Sequence, residues 1–289
     1  MSFIEWAQSP WGNQIPIHIS WTLLWYSAIG AVVFLIAHAL YVHFAARPAA
    51  HAEGTGNVSG AQLAQIPERV ARHSFGARLF HGIMALSMIA LLLTAFLPKV
   101  GVKFAWVEWH WIAGIVLTIS VLYHIIHATF VLDFWSIWPD ETDIEDASRR
   151  MKLAMGQPTP APRKFAKYPL ENKLYHLVVM CAGLAAIGTG VFMMKRVRTP
   201  FFTRNPYLFS DMTWGWMYVL HGLAGVAFVA LVTVHIYFAI RPEKLFITKS
   251  MIFGWISREQ YLEHHDPQRW SATPQIPAGG EPATKKVPA

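Results

Sequence analysis

The chain has 289 residues, 54% of them hydrophobic and only 14% charged, with a mean hydropathy of +0.33 and a formal net charge of +7. Soluble domains carry about 25% charged residues, so this composition excludes an ordinary soluble globular protein and points to a membrane protein. The basic residues cluster beside apolar runs, so the positive charge reads as membrane topology and not as a nucleic-acid footprint.

Residues 1–17 lack Lys and Arg and include Glu5. The apolar run that follows, from about 17 to 44, is too long for a signal-peptide core and reads as a retained transmembrane helix. A span needs about 20 mostly apolar residues. Four more segments qualify, at about 79–97, 109–132, 174–194 and 214–240. They are separated by a Gly/Ala-rich loop (46–77), a short link (98–108), a mixed-charge loop (133–173) and a Phe/Pro-rich loop (195–213). Within the mixed-charge loop, the acidic run Asp140–Asp146 reads as a solvated loop or short helix. Beyond residue 241 comes an interfacial stretch, Leu245 to Trp255, and the Pro/Ala-rich tail from Pro267 is expected to be disordered. The expected fold is an all-α integral membrane helical bundle of five transmembrane helices. A four-helix core occupies 78–245, an extra N-terminal helix and loop 1–77, and the interfacial segment and tail 246–289.

With the N-terminus outside and the C-terminus cytoplasmic, eighteen of the 24 Lys and Arg residues fall on inner segments. The positive-inside rule favours that orientation. Four of the remaining six form an outer cluster, Lys195 to Arg204, which is a candidate contact for a partner subunit or for haem propionates.

The chemistry lies in the histidines. His110-Trp-Ile-Ala-Gly-Ile and His221-Gly-Leu-Ala-Gly-Val match in their Ala and Gly offsets, and a second histidine, His124 or His235, follows fourteen residues after the first. Fourteen helical residues rise about 21 Å in nearly four whole turns, which puts both rings of each helix on one face at opposite depths. An imidazole in hydrocarbon is costly without a partner, so such residues mark function. Two stacked b-type haems, each with two axial imidazoles, answer the pattern. Cys181 is the single cysteine, and no Cys-x-x-Cys-His is present, which excludes covalent haem attachment and iron–sulfur cargo. The outer pair is His110 with His221. At the inner level His235 has two candidate partners: internal symmetry points to His124, while His81 has Arg78 one turn away to meet propionates, and Gly82 beside it. Gly114, Gly225, Gly82 and Gly222 would let a porphyrin approach. His38, His43 and His127 read as histidines satisfied by carbonyls or neighbouring helices. His18, His51, His73, His264 and His265 read as interfacial or aqueous.

Arg78-Leu-Phe-His81, His110-x-x-x-Gly114, His221-x-x-x-Gly225 with His235, and His264-His265-x-Pro267-x-x-Trp270 together resemble the diheme cytochrome b (gamma) subunit of respiratory formate dehydrogenase. The wider group includes the b-type cytochromes of nickel–iron hydrogenases and thiosulfate reductases. The resemblance covers residues 70 to about 270. It implies a four-helix core with two haems, the inner on His81 and His235 and the outer on His110 and His221, leaving His124 aside. It also implies a quinone site beside the inner haem, where Glu171, Asn172 and His176 are candidate contacts, although the match of Lys167-Tyr-Pro-Leu-Glu-Asn-Lys173 is loose. The implied partners are an iron–sulfur electron-transfer subunit, a catalytic subunit of molybdenum or tungsten type, quinone and membrane lipid, in a bacterial inner membrane. The extra first span departs from the family. Two other readings stand beside this one: a free-standing cytochrome b561-type quinol oxidoreductase, and a non-haem proton-linked transporter. The scarcity of Asp and Glu inside the spans counts against the transporter.

Overall fold

A computed structural model describes residues 2–44 and 66–272. Five of its helices are long and apolar enough to cross a membrane. The described residues divide into two units: 2–44, 79–138 and 171–241 form one, and 66–78, 139–170 and 242–272 the other.

The first unit holds the spans. It begins with an antiparallel hairpin, β1 (Ile4–Gln8) and β2 (Gln14–Ile19), registered from Ile4 opposite Ile19 to Gln8 opposite Gln14. Its turn is closed by the Gly12 N–H on the Ser9 carbonyl at 2.9 Å, with Gly12 at φ +86°. The first helix, α1 (Thr22–Phe44), therefore starts five residues later than the apolar run suggested. Ile17 and Ile19 extend that run in composition, but they belong to a strand. Three further spans follow in α2 (Phe75–Phe96), α3 (Trp106–Phe130) and, after the second unit's α4 (Glu141–Ala154), α5 (Leu170–Met193). The last span, α6 (Asp211–Ile240), begins at a Ser210 N-cap whose hydroxyl accepts the Thr213 N–H at 3.2 Å. These helices are apolar on all sides, as membrane helices are, so sidedness within the bundle comes from their few polar and small residues.

The hairpin and α1 pack on α6. A Cβ at Gly215 would lie 1.9 Å from the Pro16 carbonyl oxygen, so β2 lies directly on the helix backbone and only glycine fits there. Ile19, 1% exposed, then seats against Val219 and Val226, and Ser27 of α1 donates to the Val226 carbonyl at 2.8 Å. By contrast, apart from isolated points, no two of α2, α3, α5 and α6 bring described Cα atoms within 8 Å of each other. Helices packed side by side have axes only about 8–10 Å apart, so these four stand wider than direct contact requires.

The second unit is a small folded body. Strands β3 (Arg69–Ala71) and β4 (Trp255–Ser257) pair antiparallel, with Val70 opposite Ile256. With Ile66 and Tyr261 they form its apolar core. Between Ile240 and β4 runs α7 (Leu245–Phe253), ended by Gly254 at φ +89°, and after β4 comes α8 (Arg258–His264), N-capped by Ser257. The acidic run is the short helix that the sequence allowed; Asp140, Glu141 and Glu145 are exposed, but two of its carboxylates are not solvated. Asp140 caps α4, and Asp143 and Asp146 are buried against Arg269, at 3.0 and 3.4 Å, while Arg163 reaches Asp146 at 3.1 Å. The expected disorder from Pro267 is also corrected through residue 272: Trp270 packs on Tyr261 and His265, and its carbonyl accepts the Tyr261 hydroxyl. The remaining tail and most of the Gly/Ala-rich loop lie outside the described residues.

Candidate functional site

His110, in the second turn of α3, and His221, eleven residues into α6, face each other with ring centroids 6.1 Å apart. At the opposite end of the bundle, His81 of α2 and His235 of α6 stand 6.3 Å apart. An iron bound by two imidazoles, with metal–nitrogen bonds of about 2 Å, holds ring centres about 6 Å apart. Both separations fit that bridge. The wide spacing of the four helices fits a macrocycle between them. α6 carries one histidine of each pair, fourteen residues apart, so the two levels are separated by about 21 Å of helix rise.

The His110 level is built to present one particular ring nitrogen. Thr94 of α2 donates its hydroxyl to the Ala90 carbonyl at 2.7 Å, leaving its oxygen to accept Nδ1–H of His110 at 2.8 Å. Thr189 of α5 does the same for α6: it donates to Ala185 O at 2.6 Å and accepts Nδ1–H of His221 at 3.0 Å, a proton that also reaches Ala186 O at 3.1 Å. Each network fixes the Nδ1–H tautomer and leaves Nε2 with its lone pair, the form a metal ligand requires. A Cβ at Gly190 would sit 3.2 Å from the His221 ring, so Gly190 clears space for the imidazole that its neighbour Thr189 orients. At the other level, Tyr175 of α5 stacks on His235 with centroids 5.3 Å apart and planes 16° apart, while its hydroxyl donates to the Leu231 carbonyl at 3.1 Å.

None of these four supports was singled out from the sequence. Threonine in a membrane helix usually bonds its own preceding turn, as Thr94 and Thr189 also do here, so its second hydrogen bond leaves no sequence signal. Position offered a hint: Thr94 and Thr189 each lie within a few residues of the end of a span adjoining a histidine-bearing one.

His124 does not face His235, as internal symmetry suggested. It stacks on Phe80, with centroids 4.1 Å and planes 7° apart, and its nearest imidazole is His176 of α5 at 6.4 Å. Glu171 and Asn172 lie in the first turn of α5, Glu171 exposed and Asn172 half-buried, next to Lys173, which is 2% exposed. The glycines divide. A Cβ at Gly82 would meet nothing within 4 Å, and at Gly114 or Gly225 only ordinary contacts. Gly222 is not open to a porphyrin, because a Cβ there would strike Ile19 of the hairpin at 3.1 Å.

Arg78 falls in the second unit, where its guanidinium donates to the Ile252 carbonyl and lies over Phe75. In the same unit His265 is not aqueous: it is 2% exposed, its Nδ1–H donates to Ala166 O at 2.8 Å, and its Nε2 accepts from Arg72 at 3.0 Å. Burial, and then the Arg72 charge, push its pKa down to about 3, and burial lowers Arg72 to about 10. In the loop after α5, Arg196 lies over the Trp214 and Tyr218 rings, Arg204 donates to the Arg196 carbonyl at 3.0 Å, and Arg198 is exposed. His38, read as a satisfied bystander, meets the Tyr237 hydroxyl at 3.0 Å.

A helical membrane bundle with paired, ligand-ready imidazoles at two depths is the architecture of a membrane b-type cytochrome. The family model for prokaryotic cytochrome b561 matches residues 72–254, and the chain belongs to that family. It is thus a multi-pass membrane cytochrome that binds b-type haem and takes part in electron transfer. The match begins after the hairpin and α1, which lie outside it. A comparison with curated proteins gave no match.

Proposed function

We propose that the chain holds two b-type haems, one between His110 and His221 and one between His81 and His235, and passes electrons between a partner protein and membrane quinone. The observation that carries this is the pair of imidazole separations, 6.1 and 6.3 Å, at two ends of one bundle. The protein's part is to place the imidazoles, set their tautomer and keep the pathway within hydrocarbon, while the bound haems supply one-electron chemistry.

The partner in this reading is the iron–sulfur subunit of a formate dehydrogenase-type complex, with a catalytic molybdenum or tungsten subunit beyond it. It docks at the end carrying His110, where the basic loop with exposed Arg198 provides the surface. Quinone binds at the other end, near Glu171, Asn172 and His176. The excess of basic residues on the alternate segments favours an outer N-terminus and a cytoplasmic C-terminus in a bacterial inner membrane.

The test is the purified chain in lipid nanodiscs, reduced stoichiometrically and mixed with a short-chain quinone. Haem absorbance that returns to the oxidised spectrum as quinol forms supports the reading; reduced haem that is stable to quinone refutes the quinone role. Co-purification with a molybdenum-, tungsten- or nickel-containing partner separates the complex-bound readings from a free-standing cytochrome.

A further inference from the structure

At the His81 end of the bundle, three imidazoles are not accounted for by the haem ligands. His124, His127 and His176 each have a buried Nδ1 with no hydrogen-bond partner. Leaving a buried polar atom unpaired costs about 1–3 kcal/mol, and three together at one end of a bundle mark a place built for something else to bond there. His124 is held by a parallel stack on Phe80, and His176 projects from the second turn of α5 with its ring 6.4 Å from that of His124. His127 lies one helical turn beyond His124 on the same face of α3, towards the helix end at Phe130, and stacks on Tyr123 with centroids 5.4 Å apart.

We infer that His124 and His176 hold a quinone carbonyl oxygen between them and protonate it, and that His127 returns the proton from the aqueous phase at that end of α3. A carbonyl oxygen has two lone pairs and accepts from two ring N–H groups at once. Conversion of a quinone to its quinol takes two electrons, which a haem held by His81 and His235 would supply one at a time, and two protons. One proton passes from the His124–His176 pair to the oxygen it holds. The second goes to the far oxygen from water at the mouth of the pocket. A neutral imidazole accepts on one nitrogen while it releases from the other, so His127 can reload His124 without a carboxylate in the span. His124, set aside as a ligand by its position against Phe80, thereby acquires a role as a catalytic residue.

The inference rests on the quinone reading above, and the experiment separates the two. The haem-loaded chain in nanodiscs is studied as wild type and as His124→Gln, His176→Gln, His124→Leu and His127→Gln. Each is followed for haem per chain, for affinity towards a hydroxyquinoline N-oxide quinone analogue, and for haem reoxidation by short-chain quinone. All four variants are expected to keep the wild-type haem content. The two Gln variants of the pair retain a donor, so they should bind the analogue within about threefold of wild type but reoxidise about 100-fold more slowly, the scale of a lost general acid. His124→Leu should lose binding as well. His127→Gln should bind normally and slow reoxidation, with an enlarged solvent deuterium effect. Reoxidation at the wild-type rate in His124→Gln and His176→Gln overturns the inference while leaving the quinone reading intact. Loss of one haem in both variants overturns it too, because the pair would then be an iron ligand set. Failure of wild type to react with any quinone defeats the parent reading instead.

Discussion

The two threonines that orient His110 and His221 give the most searching check on the site's construction. Thr94→Val keeps the shape of the side chain but removes the oxygen that accepts Nδ1–H of His110 at 2.8 Å. Thr189→Val removes the corresponding acceptor for His221, which still has the Ala186 carbonyl at 3.1 Å. Loss of a partner behind a metal-bound histidine weakens affinity by about 10- to 100-fold, equivalent to about 1.4–2.7 kcal/mol. His110 likewise retains the Leu91 carbonyl, so each single variant is expected within that range and the double variant below either one, without strict additivity because both rings would serve one iron. The assay is transfer of haem from the detergent-solubilised chain to excess apomyoglobin, in parallel with redox titration. One of the two haems should leave faster, and its midpoint potential should shift, while the haem on His81 and His235 is unaffected. Equal retention of both haems in the double variant would refute the tautomer argument. Faster loss of both would show general unfolding instead.

Further outcomes follow from the same structure. Gly190→Leu drives a side chain into the His221 ring, which a Cβ alone already approaches to 3.2 Å, and should cost the haem proposed for His110 and His221, with the one proposed for His81 and His235 retained in a haem count. Gly215→Ala places a methyl group 1.9 Å from the Pro16 carbonyl, so the N-terminal hairpin should detach, read as protease cleavage before α1 in a chain that keeps its spans. Asp146→Ala leaves Arg269 with Asp143 as its one buried carboxylate and Arg163 with the exposed Glu145, at a cost of about 1–3 kcal/mol to the second unit, visible as faster hydrogen exchange in α4. His265, with its folded pKa lowered to about 3, stabilises the second unit fully above its ordinary pKa of 6.5 and progressively less as pH falls from there towards 3. At pH 5 the loss is about 2 kcal/mol, which Trp270 fluorescence should report and His265→Gln should abolish.

Membrane spans are legible because hydrocarbon thickness imposes length and apolarity, and the helices around His81, His110, His176 and His221 lie within a few residues of where apolar runs place them. The paired histidines are legible for a related reason: an imidazole at depth is too costly to be incidental. What spacing cannot convey is which neighbouring helix a given face meets. The repeat puts His124 on the same footing as His235, yet Phe80 and His176 claim it. The hairpin was hidden because Ile17 and Ile19 merge in composition with α1, although Gly12-Asn13 carries a turn signal that could have found it. Thr94, Thr189 and Gly190 act through single hydrogen bonds or a few tenths of an ångström of clearance, which no periodicity records. Arg72 with His265 and Arg269 with Asp143 join residues more than a hundred positions apart, so their burial escapes any local reading.

The central claim is two haems on four named histidines, and haem counting on single variants tests it most directly. The purified chain should bind two b-type haems. His81→Ala, His110→Ala, His221→Ala and His235→Ala should each retain one, and His124→Ala should retain both. A colourless protein, or a chain in which His124→Ala loses a haem while His81→Ala loses none, would contradict the account.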